Sequence, residues 1–469
     1  MNSIKEMPET TDIVVVGAGP AGLAAARAAS EAGANVVVLD EYARPGGQYF
    51  RQGSQGNILP ASIVGTSQRK GAAEIAALDR DKVVVLNGAL VWGVFSPDSV
   101  TYTHAGVTRT LSARAIVLAT GAYERTIAFP GWTLPGVMTA GAAQTMLKEH
   151  GVRVGKRIAL AGSGAFLFPV STQLAAAGAE IAVACEAVRD AFWLLRSPKA
   201  LLQPDKLLEG AGYLFKAARY RVPFRFGWTV IEARGEGRVE EVTIARIDDN
   251  WRALPGSEMV LSVDTLLINF GFIPNLQLPR LLGCTIHWDA TLATYCTTHD
   301  ADQRATVAGV YVAGETTGLG GHRVAMGEGF VAGRTAAFDI GFNTRALDAR
   351  QLASVRRQLE KDRFFVDHVN RTFSLREGIY DRIEGRITVC RCEEVSASSI
   401  LKVAQEWDGS LRAVKQCTRA GMGPCQGRIC ESMVARLAAR ASQRDIQSLG
   451  VDSVRPAVKP VPLDSFRSA

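Results

Sequence analysis

The sequence contains no HExxH motif, no Walker loop, no Ser-His-Asp spacing and no paired-carboxylate motif, and its six histidines are scattered. Hydrolase and kinase chemistries therefore have no residues to carry them. It also lacks any run of basic residues or basic stripe interleaved with aromatics, although 53 Lys and Arg against 46 Asp and Glu leave a formal charge of +7. That excess is dispersed over a solvated surface, and no nucleic-acid partner is expected. The opening residues, MNSIKEMPETTD, have no basic start followed by an apolar core and a small-residue cleavage site, so the expected address is cytoplasmic. Ile158 to Ala179 runs for 22 residues without charge, and it includes Gly162, Ser163, Gly164, Pro169, Ser171, Thr172 and Gln173. Those residues suit a buried strand, a turn and a helix, and no transmembrane segment is expected.

What is present is a folded, core-bearing chain. It has 469 residues, 47% hydrophobic and 21% charged, which at roughly 150 residues per domain predicts two or three cores. Its 46 glycines gather at strand-to-helix turns. Asp12 to Leu39 reads as the strand Ile13 to Val16, a glycine turn, an alanine-rich helix ending at Gly33 and the strand Val36 to Leu39, a βαβ unit. Arg157 to Val183 repeats the order, so the expected class is α/β with two Rossmann-like dinucleotide folds. A charged helical stretch follows from about Ala346, then a cysteine-rich module from about Arg386. The tail from Val454 carries Pro456, Pro460 and Pro462, is expected to be extended, and is assigned no chemistry.

The first turn, Gly17-Ala18-Gly19-Pro20-Ala21-Gly22, follows a strand directly and opens a helix. Gly17 permits the tight bend, Gly19 lets a pyrophosphate reach the backbone, Gly22 allows close helix–strand packing, and the helix N-terminus offers amides to the anion. Asp40, 18 residues after Gly22, is placed to accept hydrogen bonds from an adenosine ribose, with Glu41 as the alternative. In the second turn, Gly162 and Gly164 hold the first two positions but Leu167 stands at the third, where its side chain should push the helix off the strand. Glu186 follows the next strand, leaving three readings of this fold: NAD(P), another adenine nucleotide such as ATP, or a structural relic.

Cys390 and Cys392 form one close pair, and Cys425 and Cys430 a second, with 32 residues between the pairs. Four thiolates in two pairs suit a [2Fe-2S] cluster or zinc. Gly421, Gly423 and Gly427 free backbone N–H groups to turn towards sulfur, which favours the cluster. Cys417 is read as a bystander, and Cys185, Cys284 and Cys296 as small buried hydrophobes. No Cys-x-x-x-x-Cys follows the first βαβ unit, which disfavours disulfide reduction. His322 and Arg323 lie in a glycine-rich segment with either a ligand contact or a surface role open to them.

The first βαβ unit, followed by Arg44-Pro45-Gly46-Gly47-Gln48, Ala119-Thr120-Gly121 and Gly309-Val310-Tyr311-Val312-Ala313-Gly314-Glu315, resembles the FAD-binding domain of glutathione-reductase-like flavoproteins. That resemblance implies FAD contacts from Gly46, Gly47, Gln48, Thr120, Gly121 and Gly314, and a ribityl contact from Glu315, where the superfamily usually has Asp. It also implies a helix N-terminus against the flavin, carried by Gly320, Gly321, Gly327, Gly329 and Gly333. Gly271-Phe272-Ile273-Pro274 resembles the return hinge to the FAD domain.

The cysteine module resembles the bacterioferritin-associated-ferredoxin-like [2Fe-2S] domain. With Gly121-Ala122-Tyr123-Glu124-Arg125, Phe129 to Val137 and Gly421 to Arg428, nearly the whole chain resembles the alpha subunits of bacterial opine oxidases, hydrogen cyanide synthase and multi-subunit proline and hydroxyproline dehydrogenases. The domains expected from this are 1–150 with 265–345 for FAD, 151–264 for the second nucleotide fold, 346–385 as connector, 386–440 for the cluster and 441–469 as tail. The resemblance implies oxidation of a C–N bond in an amino acid, imino acid or opine by a heteromeric complex. A second FAD-dependent subunit would oxidise the substrate, with room for a small third subunit, FMN at a subunit interface, a quinone acceptor and association with the inner membrane face. The alternatives are a self-contained NAD(P)H-dependent reductase, a cyanide-synthase subunit oxidising glycine, and an iron–sulfur carrier or scaffold without enzymatic activity.

Overall fold

The computed structural model describes residues 8–54, 59–60, 63, 65–190, 204–342 and 349–466. The first seven residues, the last three residues of the expected tail and the boundary expected at 345–346 lie outside them. The first sheet begins with strands β1 (Thr10–Val16), β2 (Val36–Asp40), β3 (Val83–Asn87), β4 (Leu90–Ser96), β5 (Ser99–His104) and β6 (Val107–Leu118), in the order β3-β2-β1-β6-β5-β4. Strands β1, β2, β3 and β6 are parallel, while β5 and β4 add antiparallel at one edge. All of β2 is buried, as a valine run covered on both faces must be. Helix α1 (Pro20–Glu31) starts immediately after Gly19, with Pro20 at its first position, where a missing N–H costs nothing. Helix α2 (Ser67–Ala76) precedes β3.

A two-strand ribbon carries the chain out of this sheet and back: β7 (Ala122–Glu124) pairs antiparallel with the later segment Phe272–Pro274. Beyond β7 come β8 (Val137–Thr139), helix α3 (Ala140–His150), β9 (Arg157–Gly162), helix α4 (Leu167–Ala176), β10 (Glu180–Glu186), helix α5 (Pro204–Arg219) and β11 (Phe224–Phe226). With β15 (Thr265–Asn269) these build a second parallel sheet, order β11-β10-β9-β15-β8. Strands β12 (Trp228–Arg234), β13 (Glu241–Arg246) and β14 (Met259–Ser262) form an antiparallel sheet between β11 and β15. The return strand Phe272–Pro274 is β16.

After β17 (Ile286–Asp289) and β18 (Thr294–Thr297), β19 (Val310–Val312) rejoins the first sheet in parallel beside β6. Helix α6 (Gly321–Asp339) then crosses α1 at very short range: a Cβ on Gly329 or Gly333 would lie 2.0 or 2.1 Å from the Ala21 or Ala25 carbonyl oxygen. Gly327 faces Leu359 of helix α7 (Ala349–Thr372). Three of the five glycines expected at the flavin therefore serve helix packing instead; Gly320 and Gly321 alone stand at the helix start.

The cysteine module is a short hairpin, Thr388–Cys390 with Val395–Ser396, followed by helices α8 (Ala397–Glu406), α9 (Leu411–Thr418) and α10 (Glu431–Ser442). Its core is continuous with that of the second fold, joining Ile400, Val414 and Met433 to Phe129, Trp132 and Phe270. The Trp132 indole donates to the Thr388 carbonyl (2.6 Å) and Ala128 N–H donates to the Met433 sulfur (3.2 Å). Among the described residues no helix is long and apolar enough to cross a membrane.

Candidate functional site

One cavity of about 1710 Å³ runs between the two nucleotide folds. Its wall includes Gly17, Gly19, Pro20, Ala21, Asp40, Glu41, Gly47, Gln48, Thr120, Gly121, Gly314, Glu315 and Gly164. Gly22, Gly46 and Gly162 are not on the wall. A Cβ on each would lie 1.7, 2.5 and 1.7 Å from the carbonyl oxygens of Gly17, Phe50 and Asn269, so these three let backbone meet backbone. Gly17 has φ +102°, and a Cβ there would meet the Ala119 oxygen at 2.4 Å. At Gly19 the Cβ position is open, with only the Gly47 Cα at 3.9 Å.

The acids of both folds bind backbone. Asp40 accepts from Ala18 N–H (2.5 Å) and Tyr42 N–H (2.8 Å), and burial raises its pKa against those two bonds. Glu41 is exposed and pairs with Lys459. Glu186 is fully buried, accepts from Gly164 N–H (3.0 Å) and Val188 N–H (3.0 Å), and is pushed up to about 7 by burial. Helix α4 begins only at Leu167, three residues after Gly164, whereas α1 begins one residue after Gly19. Leu167 fills the apolar core with Leu160 and Leu174, so the second helix start is blunted, and one of its turn amides is already taken.

Glu315 lines the cavity at the α6 N-terminus, accepts from Gly321 N–H (2.8 Å), and is pushed up to about 7 by burial. Next to it the His322 ring stacks on Tyr49, centroids 3.9 Å apart, and Arg323 lies 3.6 Å from Asp362. Glu124 ties the hinge together: its oxygens accept from Gly141 N–H (2.8 and 2.9 Å) and from the Asn269 amide (2.8 Å).

In the cysteine module, Cys390 pairs with Cys430 and Cys392 with Cys425. The Cys390 thiol is pushed down to about 6 by the hydrogen bond from Cys430 and by backbone N–H groups of Gly421, Glu393 and Cys392; Cys430 is correspondingly raised. Such a nest of donors suits negatively charged sulfur. The two thiol pairs are near enough to act on each other's charge, Cys390 on Cys392 and Cys425 on Cys430, an arrangement that suits a [2Fe-2S] cluster. Gly423 lies under Cys392: a Cβ on it would sit 2.2 Å from the Cys392 Cβ. Cys417 is exposed, while Cys185, Cys284 and Cys296 are buried, their thiols pushed up to about 12, 11 and 12 by burial.

Sequence reasoning missed the residues that join these parts. Arg428 and Ile429, between Cys425 and Cys430, line the cavity. Arg428 donates to the Tyr123 hydroxyl (2.7 Å), the Cys425 carbonyl (3.0 Å) and the Val458 carbonyl (2.9 Å). The tail is part of the wall as well: Val458 donates to the Trp92 carbonyl (2.9 Å), and Val458 and Lys459 face the cavity. The strings that hold Arg428 and Tyr123 were visible, but their meeting was not.

Residues 11–329 match the family model for pyridine nucleotide-disulphide oxidoreductases, and residues 388–440 match that for the BFD-like [2Fe-2S] binding domain. An opine oxidase subunit of Agrobacterium tumefaciens (strain Ach5) is 32% identical over 98% of this chain and 92% of its own. Hydrogen cyanide synthase subunit HcnB of Pseudomonas aeruginosa is 30% identical over 97% of this chain and 98% of its own. The crystal structure of L-proline dehydrogenase from P. horikoshii superposes with a TM-score of 0.70 at 20% identity, covering 99% of this chain and 81% of that one. These matches imply FAD and a [2Fe-2S] cluster. The open Cβ position at Gly19 beside an α1 N-terminus without a side-chain cap fits a dinucleotide, and the N–H nest around Cys390 fits the cluster.

Proposed function

Because the chain belongs to the pyridine nucleotide-disulphide oxidoreductase family and carries a BFD-like [2Fe-2S] binding domain, we propose that it is the electron-transferring subunit of a heteromeric dehydrogenase or oxidase. Its substrate is the C–N bond of an amino acid, an imino acid such as proline or hydroxyproline, or an opine, and its acceptor a quinone. The relatives named as subunits, of opine oxidase and of hydrogen cyanide synthase, support a second, substrate-oxidising partner. When bound, FAD takes up two electrons with a hydride and the cluster passes them on singly.

The observation that carries this reading is the shared wall: residues 428 and 429, flanked by Cys425 and Cys430, line the same cavity as Gly17 and Gly19. In this reading Gly17, Gly19 and the α1 N-terminus hold the pyrophosphate, and Asp40 and Glu41 face the adenosine ribose. The Gly46–Gln48 turn, Thr120, Gly121, Gly314 and Glu315 hold the remainder of FAD. The α6 N-terminus, with Gly320 and Gly321 on the wall, favours negative charge on the ligand. Cys390, Cys392, Cys425 and Cys430 ligate the cluster, and Arg428 anchors their loop to Tyr123 on the hinge ribbon. The blunted second turn supports leaving NAD(P) out of the electron path.

The test is anaerobic addition of NADH to the isolated chain, then co-expression with a second flavoprotein partner and a screen of proline, hydroxyproline, glycine and opines for quinone reduction. The proposal expects no flavin bleaching by NADH and activity only in the complex. Rapid bleaching would replace it with a self-contained reductase.

A further inference from the structure

One corner of the cavity is strongly cationic and is not explained by either glycine turn. Beyond the Gly46–Gln48 turn the chain passes between α2 and α3. A Cβ on Gly71 of α2 would be 2.4 Å from the Phe50 Cβ, and the Ser54 amide donates to the Glu149 carbonyl (2.9 Å). Arg51 sits in this gap, 6% exposed. Its guanidinium lies over the Tyr42 ring, 4.5 Å from the centroid, and Nη1 pairs with Glu149. Its Nε and Nη2 are shielded from solvent and have no hydrogen-bond partner. Those two atoms form the side of the guanidinium that presents parallel N–H groups to two oxygens.

Lys148, on the next turn of wall, is 7% exposed and pairs with no carboxylate among the described residues. Burial, and then the charge of Arg51, push its ammonium down to about 8. A buried cation without a counter-charge is costly, by several kcal/mol. Arg51 has Glu149 on Nη1, but Lys148 has no such partner among the described residues, and the charge of Arg51 beside it adds to its cost.

Helix α2 opens on the same corner. Gly65, Thr66, Ser67, Arg69 and Lys70 line the cavity. Thr66 makes no side-chain cap and the first turn holds no acid. Arg69 and Lys70 instead stand at the positive end of the helix dipole, the reverse of the arrangement that stabilises a helix start. Three independent features therefore await the same negative charge. The cavity, at about 1710 Å³, also exceeds the roughly 300–1,000 Å³ of ordinary ligand pockets.

We propose that Arg51, Lys148 and the first turn of α2 form a second oxyanion site, built for the phosphate group of a ligand distinct from the dinucleotide on the Gly17–Gly22 turn. A phosphate monoester carries about −1.5 to −2 charges at neutral pH. Its oxygens would take the Arg51 fork, neutralise Lys148 and accept from the α2 amides.

The test titrates the FAD- and cluster-loaded full chain calorimetrically with inorganic phosphate in a phosphate-free buffer. Saturable binding at one site per chain is expected. Lys148→Gln should weaken it by at least about tenfold, the scale of one charge-assisted hydrogen bond. The exposed pair Arg69→Gln/Lys70→Gln, which risks no folding defect, should also weaken it. FAD per chain and the cluster spectrum should not change in either variant. Absence of saturable binding, or unchanged affinity in both variants, would overturn the proposal. So would loss of FAD from Lys148→Gln, which would assign these cations to the dinucleotide's own phosphates.

Discussion

Gly423→Ala is expected to remove the [2Fe-2S] cluster while leaving FAD in place. Gly423 has an ordinary negative-φ backbone, so alanine brings no conformational strain of its own. Its effect is contact alone: the new methyl would lie 2.2 Å from the Cys392 Cβ and 3.3 Å from a Glu393 carboxylate oxygen. Ordinary contact begins near 3.4 Å, leaving a gap of about 1.2 Å to be opened beside a cluster ligand. Metal–ligand distances tolerate only about 0.2 Å, so the displacement exceeds the tolerance about sixfold. Gly421→Ala is the control. Its φ of +85° makes alanine strained by about 1–2 kcal/mol, but the nearest atom to the new methyl is the Gly427 Cα at 3.8 Å. The assay is iron and acid-labile sulfide per chain, with FAD measured on the same samples. Gly423→Ala should hold less than about a fifth of the wild-type iron, and Gly421→Ala should be less stable but iron-replete. Full iron in Gly423→Ala with an unchanged spectrum of the reduced cluster would refute the reasoning.

Gly22→Ala should do the converse: its methyl would stand 1.7 Å from the Gly17 carbonyl oxygen, opening the phosphate turn, so FAD per chain should fall at least about tenfold with iron retained. Glu186 should make stability pH-dependent. Its folded pKa, raised to about 7 from an ordinary value of 4.5, favours the protonated form, so its contribution is complete below about pH 4.5 and lost as pH rises through 7. Urea unfolding of Glu186→Gln between pH 5 and 8 should be flatter than wild type by up to about 3 kcal/mol, and parallel curves would contradict this. Leu167→Ala should cost about 2–5 kcal/mol in the same assay, because that side chain is fully buried among Leu160, Val170 and Leu174. It should not confer flavin bleaching by NADH.

The legible parts of this molecule were those where one residue type answers one local demand. Only glycine tolerates φ +102° against the Ala119 carbonyl, so the first turn announced itself; the missing third glycine marked the second turn as altered, and there the alteration is a helix that starts late, at Leu167. The four cysteines were likewise visible, but as two pairs along the chain, whereas the contacts cross them, Cys390 with Cys430 and Cys392 with Cys425. Glycines that serve contact between distant elements were not: Gly327, Gly329 and Gly333 look like a ligand loop in sequence but pack one helix on another. Residues whose meaning depends on two distant segments meeting were also hidden. Lys148 is one lysine on an ordinary amphipathic helix until Arg51 is brought beside it. The tail has no periodicity to betray that Lys459 reaches Glu41, 418 residues away. Arg428 reads as a loop residue until Tyr123 takes its guanidinium.

The most direct test of flavin-to-cluster transfer within one chain is flash reduction of the bound FAD in the isolated wild-type protein, following flavin and cluster absorbance together. The flavin should be reoxidised in a first-order process that is independent of protein concentration and matched by cluster reduction, and Gly423→Ala should lose it. A flavin that stays reduced beside an oxidised cluster, or a rate that rises with protein concentration, would contradict the account.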